Sequence, residues 1–219
     1  MSAQPVRIAL IDDHEFVLES FRLLLDLDPS FEVVGTATTA AEGRDLVLQA
    51  RPDVAMFDLD FPGLNSFDVI PQLRDQRCAS QIVLLTAHIS DIFVHQAMQL
   101  GVAGYLLKNE SAEFVRDAFR QIASGRHVFS TAVKSRILFN DETRKYEVRS
   151  NSPIFTLSMM QLSILRHIAA GRTVKEIARL LDRSEKSIDS HEYRIMHRLD
   201  VHDRVELCRY AIREGISVL

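Results

Sequence analysis

A chain of 219 residues, 47% apolar and 26% charged, suits two compact soluble domains. No run of about 18 apolar residues occurs, so no membrane-spanning helix is expected, and the start MSAQPVRIALIDDHE lacks the order of a secretory leader. The net charge of −4 conceals an uneven spread: residues 1–125 hold 9 Lys and Arg against 18 Asp and Glu, residues 126–152 hold 6 against 3, and residues 153–219 hold 11 against 9. An acidic front and a mildly basic back point to separate partners, a metal and phosphate for one and a polyanion for the other. Cys78 and Cys208 stand alone, without the spacing of a zinc site or a disulfide framework, which fits a reduced cytoplasm.

Short β-branched runs alternate with helical patterns through the first half. VRIALI precedes FRLLLDL, FEVVGTA precedes AAEGRDLVLQA, and DVAMFD precedes SFDVIPQLRDQ; QIVLLTA, IFVHQAMQL, GYLLK and EFVRDAFRQIA continue the series. Five strands interleaved with five helices predict a doubly wound, five-stranded parallel α/β sheet over residues 1–125. Residues 126–152 are polar, weakly patterned and end in Ser-Asn-Ser-Pro, the mark of a linker, with one short helix expected between Ala132 and Phe139. Beyond it, residues 153–219 read as a small all-α domain of four helices. Their expected N-caps are Ser158, Thr173, Ser184 and Asp203, and two of them close near Gly171 and Gly215.

In a sheet of this kind ligands sit beyond the carboxyl ends of the strands. Asp12 and Asp13 follow the first strand, Asp58 and Asp60 the third, Thr86 the fourth and Lys108 the fifth, with Tyr105 three residues earlier. Carboxylates crowded at one sheet edge need a cation to coexist, and Asp12, Asp13, Asp58 and the Asp60 backbone offer the hard oxygens that Mg2+ prefers. Such a carboxylate becomes a phosphoryl acceptor when the metal bridges it to the phosphate and a lysine neutralises the developing charge. In the back half, Ser184 to Leu199 has a buried face of Ile188, Ile195 and Leu199. Lys186, Ser187, Asp189, Ser190, Tyr193, Arg194 and His197 then face outward, as in a recognition helix.

The segments IALIDDHE, MFDLDFPG, VLLTAH and GYLLKN resemble the receiver domain of two-component response regulators across residues 5 to 125. The resemblance implies that Asp58 is the phosphoacceptor, that Asp12 and Asp13 hold magnesium, that Thr86 and Lys108 bind the phosphoryl group, and that Tyr105 is the aromatic switch residue. Ser66 stands where that family usually has glycine, Phe61 where methionine is commoner, and Asn109 follows the lysine. Residues 155 to 215, with LSMMQLSILRHIAAGRTVKEIARLL and SEKSIDSHEYRIMHRLDV, resemble the helix-turn-helix output domain of LuxR/NarL/FixJ regulators. Here Asp189 replaces a common lysine, Glu192 a usual aliphatic residue and Gln161 a usual glutamate.

Together the two resemblances imply a cytoplasmic, non-enzymatic transcription regulator. A sensor histidine kinase would phosphorylate it, and it would bind double-stranded DNA as a homodimer when phosphorylated. Two alternatives stay open. One is a receiver that acts through protein partners without DNA; the other is an aspartate-based phosphohydrolase, because Asp58-Leu-Asp60 also resembles the first motif of the haloacid-dehalogenase type.

Overall fold

The computed structural model describes residues 4–59, 61–148 and 152–216. The chain divides into two compact units, residues 1–89 with 97–146, and residues 90–96 with 147–219.

From Val6 to Ala123, strands β1 (Val6–Ile11), β2 (Phe31–Ala37), β3 (Val54–Phe57), β4 (Gln81–Thr86) and β5 (Gly104–Leu107) alternate with helices α1 (Glu15–Asp26), α2 (Ala40–Ala50), α3 (Ser66–Asp75), α4 (Asp91–Gln99) and α5 (Ala112–Ala123). The central strands are β1, β3 and β4, buried on both faces and therefore apolar nearly throughout, as parallel strands covered by helices must be. One face of the sheet packs Ile8, Leu10, Val54, Met56, Val83 and Leu85 against Leu18 and Leu25 of α1 and Val115, Phe119 and Ile122 of α5. On α2, Gly43 is required by close approach: a Cβ there would meet the Ile11 side chain at 2.6 Å.

With a further strand, β6 (Val128–Phe129), the strand order is β2-β1-β3-β4-β5-β6, all pairs being parallel. The sheet thus has six strands rather than the five expected, because Val128–Phe129 adds β6 beside β5. A two-residue strand inside a polar stretch has too little alternation to be seen in sequence. The expected linker is also more structured than its composition suggests. A single turn of helix, α6 (Thr131–Lys134), replaces the longer one anticipated between Ala132 and Phe139, and a separate hairpin follows, β7 (Ile137–Asn140) with β8 (Lys145–Val148). Here the β-branched and aromatic residues of Ile137-Leu-Phe favour a strand over a second helical turn.

The second unit holds a 3-10 turn (Pro153–Thr156) and helices α7 (Met159–Ala169), α8 (Val174–Leu180), α9 (Glu185–Leu199) and α10 (Arg204–Arg213). Each helix starts on its expected cap. Ser158, Thr173, Ser184 and Asp203 accept from the backbone N–H of Gln161, Glu176, Ser187 and Glu206 at 3.3, 3.3, 3.2 and 2.8 Å. Gly171 and Gly215 take positive φ just past α7 and α10. Ile164, Leu165, Ile177, Ile188, Ile195, Leu207 and Ala211 form the buried core of the unit.

Candidate functional site

Sheet register decides which side chains meet. Ile11 pairs with Phe57 across β1 and β3, so the next residues, Asp12 and Asp58, lie side by side where the strand order reverses. The Asp58 N–H donates to the Ile11 carbonyl at 2.8 Å. Thr86 pairs with Leu107, which sets Lys108 just beyond, its N–H donating to the Thr86 carbonyl at 2.8 Å. The Lys108 ammonium then reaches back across the sheet edge to Asp12 Oδ2 at 2.7 Å and Asp58 Oδ2 at 3.0 Å.

Three carboxylates and one ammonium leave the pocket short of positive charge. Burial pushes the Asp58 carboxyl up from its ordinary 3.8 to about 6, and the Asp12 charge adds to this; Lys108 and the Leu59 N–H act in the opposite direction. Burial also works against the Lys108 charge, but Asp12 and Asp58 overcome it and hold the ammonium above its usual range. Asp13 Oδ1 is buried and accepts no hydrogen bond among the described residues, with His14 Nδ1 2.9 Å away. A hard divalent cation relieves such a set, and ligand atoms of Asp12, Asp13, His14 and Asp58 all lie within 4.8 Å of one another. The donors therefore suit magnesium. Asp60, the remaining expected ligand, lies outside the described residues.

His14 is not among the site residues expected from the sequence. Its ring is exposed, yet Nδ1 stands 3.1 Å from Asp12 Oδ1 and its backbone N–H donates to the same oxygen at 2.9 Å. Direct adjacency to the Asp12-Asp13 pair is the signal that could have found it. Thr86 is fully buried, its Oγ1 accepting from the His88 N–H at 3.0 Å. Tyr105 is also fully buried, and its hydroxyl donates to the His88 carbonyl at 3.0 Å. Ser66, noted in sequence only as a departure, is buried with its hydroxyl donating to the Asp58 carbonyl.

In α9, Ile188, Ile195 and Leu199 are buried, and Glu192 lies between them on the same face. Lys186, Asp189, Ser190, Tyr193, Arg194 and His197 are exposed and Ser187 is half-buried. Burial, then the charges of Arg194 and Arg183, hold the His191 imidazole on α9 below its usual range. A groove between α8 and the start of α9 is lined by Lys175, Arg179 and Arg183 together with Glu176 and Glu185. Two further arginines of this unit are engaged within the protein. Arg204 pairs with Glu192 and donates to the Arg172 carbonyl at 2.5 Å, and Arg198 donates to the Thr156 carbonyl at 2.7 Å. Glu192, odd as a substitute for an aliphatic residue, is thus a buried partner for Arg204.

These two arrangements have counterparts among known proteins. Residues 8–120 match the response regulator receiver domain, and residues 156–211 match the bacterial regulatory proteins of the luxR family. The chain is 33% identical over 215 residues to the response regulator UvrY of Escherichia coli, covering 96% of this chain and 95% of that one. It is 32% identical over 211 residues to the transcriptional regulatory protein LiaR of Bacillus subtilis, covering 96% and 99%. The fold matches that of RcsB from Salmonella enterica serovar Typhimurium, solved bound to the promoter rprA, with a TM-score of 0.68, 22% identity and coverage of 94% and 98%. Matched by two domain families in chain order and by relatives along nearly its whole length, the chain belongs to the LuxR family of response regulators.

Proposed function

We propose that the chain accepts a phosphoryl group on Asp58 from a sensor histidine kinase and, so modified, binds double-stranded DNA as a homodimer through α9. The observation that carries the reading is the register pairing of Ile11 with Phe57, which sets Asp58 beside Asp12 with Lys108 bridging them. Asp12, Asp13 and Asp58, with the Asp60 carbonyl, would hold magnesium, which when bound supplies the positive charge that phosphoryl oxygens need in an acidic pocket. The Asp58 carboxylate forms the new P–O bond as the P–N bond of the phosphohistidine breaks and the imidazole leaves. Lys108 then exchanges part of its contact with Asp12 for the new dianion. Thr86 offers its hydroxyl to the same group, and Tyr105 passes the change onward from its bond beside Thr86.

The receiver in this reading occupies residues 1–125 and the output domain residues 153–219, and the chain is phosphorylated once rather than turning over phosphate esters. In this reading the regulator works in the cytoplasm; among the described residues no helix is long and apolar enough to cross a membrane. For DNA, the exposed Lys186, Ser190, Tyr193, Arg194 and His197, with the half-buried Ser187, supply phosphate and base contacts. Asp189, exposed on the same helix, would accept from a cytosine amino group, which shifts sequence preference away from what a lysine there would read.

The deciding experiment follows phosphoryl uptake from acetyl phosphate with magnesium and then binding to DNA selected from a random pool. Asp58→Asn should take up none. Lys186→Ala and Arg194→Ala should each weaken binding and reduce the salt slope by about 1. Uptake by Asp58→Asn refutes the acceptor assignment, and a pool that yields no enriched sequence refutes the DNA step in favour of a protein partner.

A further inference from the structure

We propose that Ser66 is a positioning residue for phosphoryl transfer, its hydroxyl aiming the Asp58 carboxylate through the peptide that joins Asp58 to Leu59. The inference rests on the reading of Asp58 as the acceptor. That one peptide group is held at both ends. Its carbonyl oxygen, belonging to Asp58, accepts from Ser66 Oγ; its N–H, belonging to Leu59, donates to Asp58 Oδ1 at 2.8 Å. Donation to a carbonyl polarises the amide and strengthens the N–H on the other side as a donor. Ser66 therefore acts on Oδ1 without touching it. With Oδ1 fixed by the Leu59 N–H, Oδ2 is the oxygen turned to Lys108 at 3.0 Å.

The hydroxyl is not spent on its own helix. Asn65 is the N-cap of α3 and Ser66 its first residue, while the Asn65 N–H donates to Asp68 Oδ2 at 3.1 Å, which closes the turn independently. Phe67 and Ile70, buried at 3% and 0% exposure, lock this end of α3 into the core. Ser66 itself is fully buried, so water has no access by which to replace it on the Asp58 carbonyl. Glycine at this position would leave the peptide to be oriented by the Ile11–Asp58 backbone bond and the Leu59 N–H alone.

The test compares the full-length protein with Ser66→Ala, Ser66→Gly, Ser66→Thr and Asp58→Asn under saturating magnesium and acetyl phosphate. Ser66→Ala and Ser66→Gly should take up phosphoryl roughly five- to tenfold more slowly, the worth of one buried hydrogen bond, with Ser66→Thr restoring the rate. The Leu59 amide proton should move upfield in the alanine and glycine variants and stay in place in the threonine one, a response that a change in packing alone does not produce. Wild-type rates and an unmoved Leu59 resonance in Ser66→Ala or Ser66→Gly would overturn the inference, as would equal loss in all three Ser66 variants. Labelling of Asp58→Asn would instead remove the reading beneath it.

Discussion

Burial and the neighbouring Asp12 disfavour the charge of Asp58 in the acidic pocket. Its carboxyl titrates near 6 when folded against 3.8 when exposed, so between those values the folded chain binds its proton more tightly than the unfolded chain. The stability that this confers is fully present below 3.8 and is lost as pH rises through 6, a loss on the order of 3 kcal/mol in the metal-free protein. Asp58→Asn removes that ionisation. In urea unfolding at pH 7.5 without metal the variant should be more stable than the wild type by about 1–3 kcal/mol, and the two should converge near pH 4. Superimposed curves at pH 7.5 would contradict the charge crowding inferred for the pocket. His191 reports on the other unit in the same way. Arg194 and Arg183 help hold it below its usual range, so phosphates drawn to those arginines should raise it, and an NMR titration of its ring with and without duplex DNA should show the upward shift. An unchanged titration would mean that DNA does not meet this face of α9.

At the scale of elements, what was legible in the sequence followed local chemistry. The four caps of the helical unit are short-range hydrogen bonds with fixed spacing, and each of Ser158, Thr173, Ser184 and Asp203 occupies its expected place. The meeting of Asp12, Asp58 and Lys108 was legible too, because parallel strands bring their carboxyl ends to one edge whatever the loops between them do. The β7–β8 hairpin was not. Its turn runs through Asp141 to Arg144 with Arg144 at φ +56, where a hairpin signal in sequence requires glycine or asparagine. Bonds from a side chain to a distant partner, such as Ser66 to the Asp58 carbonyl, leave no periodic trace at all. The Glu192–Arg204 pair linking α9 to α10 belongs to this class, and it is testable as an element-level contact. Arg204→Ala strands a buried carboxylate and should cost about 1–2 kcal/mol, less than a fully enclosed pair because Arg204 is 36% exposed. Glu192→Leu combined with Arg204→Met should recover that loss in a chemical-denaturation measurement. Continued instability of the double variant would assign the cost to the Arg204 bond with the Arg172 carbonyl instead.

Across the whole molecule, charge and chemistry separate along the chain. Residues 1–125 hold 18 acids against 9 bases and contain the cluster of Asp12, Asp13, His14 and Asp58, whereas residues 153–219 hold 11 bases against 9 acids and present the exposed cations of α9. A ligand that binds only the folded state stabilises the unit that holds it by an amount set by its excess over Kd, about 3 kcal/mol at a hundredfold excess. Magnesium should therefore raise the unfolding transition of the acidic unit by several degrees and leave that of the helical unit in place, and a duplex carrying the selected sequence should do the reverse. Scanning calorimetry of the full chain reads both. Asp12→Ala and Asp13→Ala should abolish the magnesium shift while keeping the shift with DNA. A magnesium shift that survives both substitutions would place the ion elsewhere and detach the acidic edge of the sheet from phosphoryl chemistry.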